Sequence, residues 1–399
     1  MNYKSILNLL GILLVIFSLS FIPPLMLSVF YAEPLNGIFL YSFLFLITLG
    51  CLMWFTSRQK DLPLNISDGF IITTMFWVVL AFAGSIPFYF FGLNASDAIF
   101  ESVSGITTTG ATVIVGLDEL PKSLLLYRQL LQWIGGMGLI ILAVAVMPTL
   151  GIGGGQLYKM ELPGSHGNQK LTPKITDSAK ALWKIYFGLT IICALLYLLS
   201  GMNLFDAIAH SLSTVAGGGF STHDDSMGFF DSGLIETVCI IFMLLSAASF
   251  AVHYAAIFGG KPLKYFYDSE FRFFLSVVIL IAIVILIFHT VNDSYAEFLL
   301  ALRTSIFHTV SIVTTSGFTT ENFSLWPSFL PYLLLVGAFM GACSQSVGGG
   351  IKTWRVLIMV KQAYKEILNI IHPNAILSSK IGNKVIDSKI AEKVWGFFS

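Results

Sequence analysis

The sequence predicts an all-α polytopic membrane protein, because its composition, hydropathy and charge distribution all favour that fold class. Of the 399 residues, 56% are hydrophobic and only 11% are charged, whereas a soluble domain carries about 25% charged residues. The mean hydropathy is +0.82. The 22 basic and 22 acidic side chains cancel, so no global field attracts nucleic acid. The composition excludes a soluble enzyme and a disordered chain, and the four scattered cysteines indicate neither a disulfide framework nor a zinc site.

Seven apolar runs are long enough to cross the hydrocarbon core, which takes about 20 residues of α-helix. They are residues 6–31, 37–55, 69–91, 124–147, 181–199, 234–258 and 271–288. An eighth run begins near Phe329, is interrupted after Ala342 by a Ser/Gly-rich stretch and resumes at Ile351. The first run is too long for a removed signal peptide and lacks a small-residue cleavage site. Its Pro23-Pro24 pair predicts a kink of the kind tolerated inside a helix bundle.

The distribution of basic residues fixes the expected orientation. When the N-terminus is placed in the cytosol and the chain alternates at each span, all but three of the 22 Lys and Arg residues fall on the cytosolic side. The three outside are Lys122, Arg128 and Arg303. Such an asymmetry is a strong positive-inside signal. The sequence therefore predicts a cytosolic N-terminus.

Three outward-facing connections contain apolar segments that are too short to cross, each followed by Gly/Thr-rich sequence. These are residues 97–113, 206–222 and 297–320, and they share one ungapped frame. In each frame a serine stands six residues before a glycine, as Ser104 and Gly110, Ser213 and Gly219, and Ser311 and Gly317. Surface loops would explain one such segment, but three in one frame indicate duplicated structural units.

Each unit reads as a span, a short re-entrant helix, an extended segment and a second span. Non-helical backbone at membrane depth is tolerated where it lines a cavity or is buried in protein. Glycine lets successive carbonyls turn inward, and rings of carbonyls can replace the hydration shell of a monovalent cation. Asp97 and Asp206 stand at the expected helix starts, where a carboxylate caps free N–H groups. The helix C-terminal ends would then direct partial negative charge at a cavity. This predicts repeated span–pore-loop–span units around an ion pathway.

The stretch that interrupts the eighth run predicts an intramembrane gate. It consists of Ser344, Gln345, Ser346, Val347, Gly348, Gly349 and Gly350. A loop without helical hydrogen bonds can move between a blocking and an open arrangement. The alternative is a flexible kink whose small residues serve helix contacts. Lys352 and Arg355, which follow directly, favour the gate.

Several polar residues near the predicted pathway have both a structural and a functional interpretation. For Arg128 and Arg303, pairing with an acid on a neighbouring repeat is favoured over a role in setting ion number. Glu101, inside the first short helix, is ambiguous. His210 stands four residues after Asp206 and is favoured as a satisfied helix pair over a proton relay. No catalytic triad, metal-ligand cluster or carboxylate pair stands out, so the sequence predicts no enzyme.

Several long motifs resemble one known family along essentially the whole chain. They are residues 104–113 (SGITTTGATV), 127–138 (YRQLLQWIGGMG), 213–222 (STVAGGGFST), 311–320 (SIVTTSGFTT), 341–355 (GACSQSVGGGIKTWR) and 372–374 (HPN). Together they resemble the Trk/Ktr/HKT potassium-transport superfamily, and within it the bacterial TrkH-type membrane subunits. The resemblance implies potassium uptake across the bacterial cytoplasmic membrane, with K⁺ as the transported ion and no organic cofactor.

The family fold consists of four non-identical span–pore-loop–span repeats around one potassium pathway, usually preceded by two extra spans. By this resemblance, residues 1–62 form the two-span extension and residues 63–150 the first pore repeat. Residues 151–258 form the second repeat, and residues 259–370 form the third, with a broken last helix. Residues 371–399 form a cytosolic linker and the start of a truncated fourth repeat.

The resemblance also implies the residues of the potassium filter and the partners of the chain. The filter carbonyls are those of Thr108, Thr109, Gly110, Gly217, Gly218, Gly219, Thr315, Ser316 and Gly317. Residues 344–350 match the family's intramembrane gate. Family members form homodimers in a lipid bilayer and do not bind nucleic acid. They bind a cytosolic nucleotide-binding regulatory subunit of TrkA type. The expected docking surface is basic and lies in residues 159–184, 261–272 and 352–393.

Three positions depart from the family pattern. Gln345 and Val347 stand where the family more often shows a small residue and a threonine, and Gly217 replaces a bulkier residue. Two alternatives remain open beside potassium uptake. One is a secondary symporter of a small solute that uses broken helices at the midplane. The other is a truncated, non-conducting family member, since the residues from Ala391 onward reach about 13 Å as helix against a core of about 30 Å.

Overall fold

The computed structural model describes residues 3–58, 66–146, 175–327 and 329–372, together with the short stretches 380–381, 384–385, 392 and 394–396. Helices dominate these ranges, which confirms the predicted fold class. By its internal contacts the chain divides into two compact units. The first unit consists of Met1–Ser246 and Ser316–Asn322, and the second of Ala247–Thr315 and Phe323–Ser399.

The helices of the first unit, in chain order, are α1 (Tyr3–Ser18), α2 (Ile22–Phe30), α3 (Asn36–Thr56), α4 (Ile66–Phe91), α5 (Ala95–Ile106), α6 (Lys122–Val146), α7 (Ile175–Leu199), α8 (Leu204–Ala216) and α9 (Gly233–Ala247). Helix α9 ends at the boundary with the second unit. Those of the second unit are α10 (Phe250–Ile257), α11 (Lys264–Tyr267), α12 (Ser269–Val291), α13 (Phe298–Val313), α14 (Leu330–Met340) and α15 (Thr353–Ile371). A two-residue antiparallel hairpin pairs β1 (Lys380–Ile381) with β2 (Lys384–Val385).

Within the described ranges, five helical segments are long and apolar enough to cross a membrane. They are Tyr3–Phe30, Asn36–Thr56, Asp68–Phe91, Lys180–Leu199 and Ser269–Val291. Helix α6 follows the predicted run 124–147 as far as its described part reaches. Helix α14 has 11 residues, so the predicted short outer segment of the eighth run is confirmed as too short to span alone.

Two interruptions of the long runs have local causes. In the first span a single 3₁₀ turn, Leu19–Phe21, precedes α2, and the Pro23-Pro24 pair occupies the first turn of that helix, where a missing N–H costs nothing. The predicted apolar run over residues 234–258 is broken between α9 and α10. Ser249 has an extended backbone and its hydroxyl accepts from the Ala251 N–H at 3.3 Å, so it begins α10 as an N-cap. The continuous apolar composition of residues 234–258 did not indicate this break between two helices.

The N-terminal caps of the first two short helices differ from the prediction. In α5 the cap is Asn94, whose side-chain oxygen accepts from the Asp97 N–H at 2.9 Å. In α8 the equivalent cap is Asn203, which accepts from the Asp206 N–H at 2.9 Å. Each aspartate instead accepts a hydrogen bond from the amide of its asparagine, at 2.7 and 2.6 Å. The helix starts were therefore placed correctly but the capping residue was wrong.

An aromatic cluster in the first unit fixes the position of α6. Tyr127 is fully buried, and its ring centroid lies 5.4 Å from that of Phe21 and 5.3 Å from that of Phe88. Its hydroxyl donates to the Gly84 carbonyl at 2.8 Å, so the one polar atom of the cluster is satisfied. Because α1 to α4 hold Tyr127, the next two turns of α6 are aimed at the segments that follow α5 and α8.

Candidate ion pathway

The three glycine frames adopt one repeated backbone conformation. The frame glycines Gly110, Gly219 and Gly317 have φ of 77°, 75° and 87°. Two residues earlier, Thr108, Gly217 and Thr315 have φ of 55°, 64° and 62°. Each segment therefore leaves its short helix through one left-handed residue and reaches a second one at the frame glycine. A β-branched residue in this region is an outlier, and such strain clusters at functional sites.

Two of the frame glycines lie against the carbonyl of the next segment. In the first unit, a Cβ added to Gly110 would overlap the carbonyl oxygen of Gly218, and one added to Gly219 would overlap that of Ser316. Both obstacles are backbone atoms, so a side chain could be accommodated only by moving the chain. Around Gly317 no atom of the described residues lies within 4 Å of the added position. The first segment thus contacts the second, and the second contacts the third. Both contacts require glycine, at Gly110 and at Gly219.

Gln132 of α6 braces the second segment. Its amide nitrogen donates to the Gly218 carbonyl at 2.5 Å, while its amide oxygen accepts from the Ser213 hydroxyl at 2.6 Å and the Phe220 N–H at 3.1 Å. The side chain is fully buried, so each of these polar groups would otherwise be unsatisfied. Gln132 therefore fixes the direction of a carbonyl in the middle of the predicted filter. The sequence analysis quoted this residue within a motif but gave it no role.

A fully buried ion pair ties the ends of the first two segments together. Arg128 Nε lies 2.7 Å from Glu101 Oε1, and both side chains have no exposed surface. Glu101 also accepts from the Thr112 hydroxyl at 2.9 Å and the Val113 N–H at 3.3 Å. Arg128 donates in addition to the Ser221 carbonyl at 3.1 Å. The acid partner predicted for Arg128 exists, but the prediction of a neighbouring repeat is wrong, because α5 and α6 both lie in the stretch 63–150.

His223 connects two carboxylates from different segments. Its Nδ1 pairs with Asp118, and its Nε2 lies 3.3 Å from Asp206 Oδ2. The ring of Phe229 stacks on the imidazole at 3.4 Å between centroids. Hydrogen bonds and charge from the two aspartates raise the pKa of His223 against its burial. The His223 hydrogen bond lowers the pKa of Asp118. This His223 bridge joins the loop before α6 to the loop after α8, and the sequence analysis did not predict it.

His210 is a satisfied histidine, as predicted, although its partner differs. Nδ1 lies 2.9 Å from the backbone carbonyl of Asp206, rather than its carboxylate, and must donate to it. Nε2 lies 2.9 Å from the Ser221 hydroxyl. The same hydroxyl oxygen accepts from the backbone N–H of His223 at 3.0 Å. His210 therefore holds the end of the second segment.

In the second unit, the stretch between α14 and α15 forms a loop that backbone and side-chain groups hold in place. Glu270 of α12 accepts from the Ser344 N–H at 2.5 Å, and the Gln345 carbonyl accepts from the Phe250 N–H at 2.9 Å. The Gly349 N–H donates to the Thr315 hydroxyl at 2.6 Å. The loop therefore contacts the first residue of the third predicted filter segment.

The ammonium of Lys352 bonds carbonyls of the loop that precedes it. Lys352 has φ of 82°, and its ammonium donates to the Gly348 carbonyl and lies 3.4 Å from the Ser346 carbonyl. Thr353 donates its hydroxyl to the Gly341 carbonyl at 2.9 Å, which joins the two ends of the loop. An ammonium has no fixed direction of bonding, so these bonds can be exchanged for others without breaking a packed core.

Some sequence-predicted residues lie outside these arrangements. Arg303 lies on α13, and its pairing with an acid of a neighbouring repeat stays a prediction. Most of the basic segment 159–184 falls outside the described residues. The residues that the sequence analysis missed, including Gln132, His223 and Asn94, gave only weak signals. The clearest was the repeated spacing of Asn94 to Asp97 and Asn203 to Asp206.

Comparisons with known proteins come from the sequence and from the fold. Residues 37–399 match the family described as "TrkH: Cation transport protein". The chain is 47% identical over 402 residues to the Trk system potassium uptake protein TrkH of Halomonas elongata, and the alignment covers 100% of this chain and 83% of that protein. It is 44% identical over 405 residues to the protein of the same description from Escherichia coli, with the same coverage.

A solved structure agrees with the sequence relatives. The chain superposes on the "Crystal Structure of the Potassium Transporter TrkH from Vibrio parahaemolyticus" with a TM-score of 0.89 and 44% sequence identity. The match covers 100% of this chain and 83% of that chain.

Proposed function

The chain belongs to the TrkH family of cation transport proteins, and from that premise we propose that it carries potassium across the bacterial cytoplasmic membrane as the membrane subunit of a Trk-type system. It is a membrane protein of a transporter family and not an enzyme. The relatives are named for potassium uptake, whereas none of the names given above describes a solute symporter. The observation that carries the proposal is the backbone frame repeated at Gly110, Gly219 and Gly317.

The proposed filter consists of the three frame segments. Carbonyls of residues 108–110, 217–219 and 315–317 replace the hydration shell of K⁺, which requires a backbone turned toward the ion at several successive residues. The paired left-handed residues of each segment supply such a turn. The carbonyl of Gly218 already accepts from Gln132, so its share of ion coordination is smaller than that of its neighbours. Gln132 instead keeps the second segment in register.

The proposed gate is the loop of residues 344–350. In the closed state, Lys352 bonds the loop carbonyls and Glu270 bonds the loop backbone. Opening requires Lys352 to exchange these carbonyls for water or for another acceptor. The loop bonds the filter segment from the Gly349 N–H to the Thr315 hydroxyl, and exchange of that bond lets the loop move while the filter keeps its shape.

The orientation and the partners belong to the same proposal. The positive-inside distribution supports a cytosolic N-terminus. As a Trk-type membrane subunit the chain works with other components, and we assign it a homodimeric state and a cytosolic nucleotide-binding regulatory subunit of TrkA type. Helix α15, with Arg355 and Lys365, offers part of the basic docking surface.

Uptake in a bacterium that lacks its own potassium transport tests this function. The chain is expressed at low external potassium, and growth and rubidium uptake are measured for the wild type and for Gly219→Ala. Gly188→Ala is the matched control, because a Cβ at Gly188 meets no atom of the described residues within 4 Å. We expect full uptake from the wild type and the control and clearly weakened uptake from Gly219→Ala. Equal uptake from all three would contradict the filter assignment, and no uptake from a correctly inserted wild type would contradict the function.

A further inference from the structure

A groove in the second unit lies between the start of α12 and the start of α15. Its cavity has a volume of about 360 Å³ and is lined by Ser269, Arg272, Phe273, Ser276, Leu357 and Lys361. On α12 the lining residues are spaced three, four and seven apart, and on α15 four apart, so each helix presents one face. The volume falls within the range of 300–1,000 Å³ that is usual for small-molecule sites.

The polar lining of the groove is cationic. Arg272 and Lys361 lie on opposite walls, and within the described residues neither of them pairs with a carboxylate. The nearest acids along α12 are engaged elsewhere: Asp268 caps the helix by accepting from the Glu270 and Phe271 N–H groups, and Glu270 accepts from Ser344. Two cations that face one cavity without an acid favour an anionic ligand.

The floor of the groove is apolar. Phe273 packs against the buried cluster that contains Leu357. The Ser276 hydroxyl is occupied, because it donates to the Phe273 carbonyl of its own helix at 2.7 Å. A ligand that fills this groove needs an anionic group for Arg272 and Lys361 and an apolar part for the floor.

The position of the groove along α12 identifies the source of such a ligand. Ser269–Val291 is a candidate membrane span, and its 23 residues cover about 35 Å against a hydrocarbon core of about 30 Å. Ser269 and Arg272 therefore lie at the level of the headgroups. The same face of α12 continues upward through the exposed side chains of Leu280, Ile283 and Ile287, which offer an apolar path for acyl chains.

We propose that the groove between α12 and α15 binds an anionic phospholipid, with its phosphate between Arg272 and Lys361. Basic pockets between helices at a membrane face bind such headgroups. The exposed stripe of Val360, Tyr364 and Ile367 along α15 places this helix against the same leaflet. A zwitterionic phospholipid presents the same phosphate together with a cationic group, which Arg272 and Lys361 disfavour. The inference rests on membrane insertion and not on the proposed potassium transport.

Lipid titration of the purified, delipidated full chain, followed by native mass spectrometry, tests the proposal. The probes are phosphatidylglycerol, phosphatidylcholine and inorganic phosphate. For wild type we expect the first phosphatidylglycerol to bind more tightly than phosphatidylcholine. The double variant Arg272→Gln/Lys361→Gln loses about thirtyfold in affinity for phosphatidylglycerol, and each single variant about fivefold. If the double variant does not fold, the affinities of the two single variants test the proposal.

The control is Lys261→Gln/Lys264→Gln, which removes the same charge from exposed positions outside the groove. We expect the control, and the charge-preserving Arg272→Lys/Lys361→Arg, to bind as the wild type does. Equal loss in the control would overturn the proposal in favour of a diffuse charge effect. Equal binding of both lipids to the wild type, or displacement of phosphatidylglycerol by millimolar inorganic phosphate, would also overturn it.

Discussion

The glycine frame of the first unit and the loop of the second unit are both irregular backbone within a helical protein, but they are held in different ways. Fully buried side chains support the frame, among them Gln132 and the Arg128–Glu101 pair. The loop depends on backbone bonds, on the ammonium of Lys352 and on single hydrogen bonds to Glu270, Thr315 and Thr353. The difference shows how one chain combines a rigid segment with a movable one: buried polar networks specify a single arrangement, and replaceable bonds permit two.

Breaking the buried ion pair is expected to have the largest effect. Arg128→Met leaves the Glu101 carboxylate uncompensated in a buried site, which costs about 3–5 kcal/mol. We expect the variant to lose most of its folded population, measured by thermal unfolding in detergent and by yield from membranes. The double variant Arg128→Met/Glu101→Leu should recover much of the loss, since it removes both charges. If the double variant loses as much stability as the two single variants Arg128→Met and Glu101→Leu together, the ion pair is not the source of the loss.

The glycine contacts predict the next largest effect. Ala at position 110 or 219 adds left-handed strain of about 1–2 kcal/mol and collides with a backbone carbonyl of the next segment. Ala at position 317 meets only the strain. We therefore expect potassium-over-sodium preference to fall at least tenfold for Gly110→Ala and Gly219→Ala, and much less for Gly317→Ala. Rubidium uptake in competition with sodium measures this ranking, and a ranking led by Gly317→Ala would contradict it.

Weakening the loop should act in the opposite direction. Lys352→Met removes the hydrogen bonds from the ammonium to the loop carbonyls, and bonds to a charged group contribute about 1.5–3 kcal/mol. We expect potassium flux to rise several-fold while the potassium-over-sodium preference is unchanged. Deletion of residues 344–347 should raise flux further. Lys4→Met, at an exposed position of α1, is the control, and a fall in flux for Lys352→Met with normal insertion would favour a plain structural kink.

The His223 bridge gives the smallest expected effect, which depends on pH. Because the pKa of His223 is raised above 6.5, its contribution to stability is complete below about pH 6.5 and is lost as the pH rises through the raised value. The pKa of Asp118 is lowered below 3.8, so its contribution is present above that pH and is lost in stronger acid. We expect the unfolding temperature to decline slightly from pH 6 to pH 8.5.

His223→Gln should abolish that decline, because the substituted side chain does not titrate. His372→Gln, at an exposed position, serves as the control and should keep the wild-type pH profile. A decline of the same size in His223→Gln would assign the pH dependence to another group.

Much of the candidate pathway could be predicted from local sequence. The spacing of Ser104 to Gly110, and its two repeats, located three segments that share left-handed backbone at the same two positions. The partners of those segments could not be predicted in the same way. Gln132 bonds a carbonyl 86 positions away, and His223 meets Asp118 across 105 positions. Residue type alone does not select one partner among the many polar groups at such separations.

By itself the sequence determined that the chain lies in a membrane, where its long apolar runs lie, and which glycines take left-handed positions after the short helices. These properties follow from the transfer of apolar residues out of water and from the φ that each residue tolerates, and both act within one segment. Only the tertiary structure decided that Asn94 rather than Asp97 caps α5, that Arg128 pairs with Glu101, and that Ser249 begins α10 as its N-cap. Those outcomes depend on which polar groups are buried together, because a buried group takes the partner that packing brings within reach.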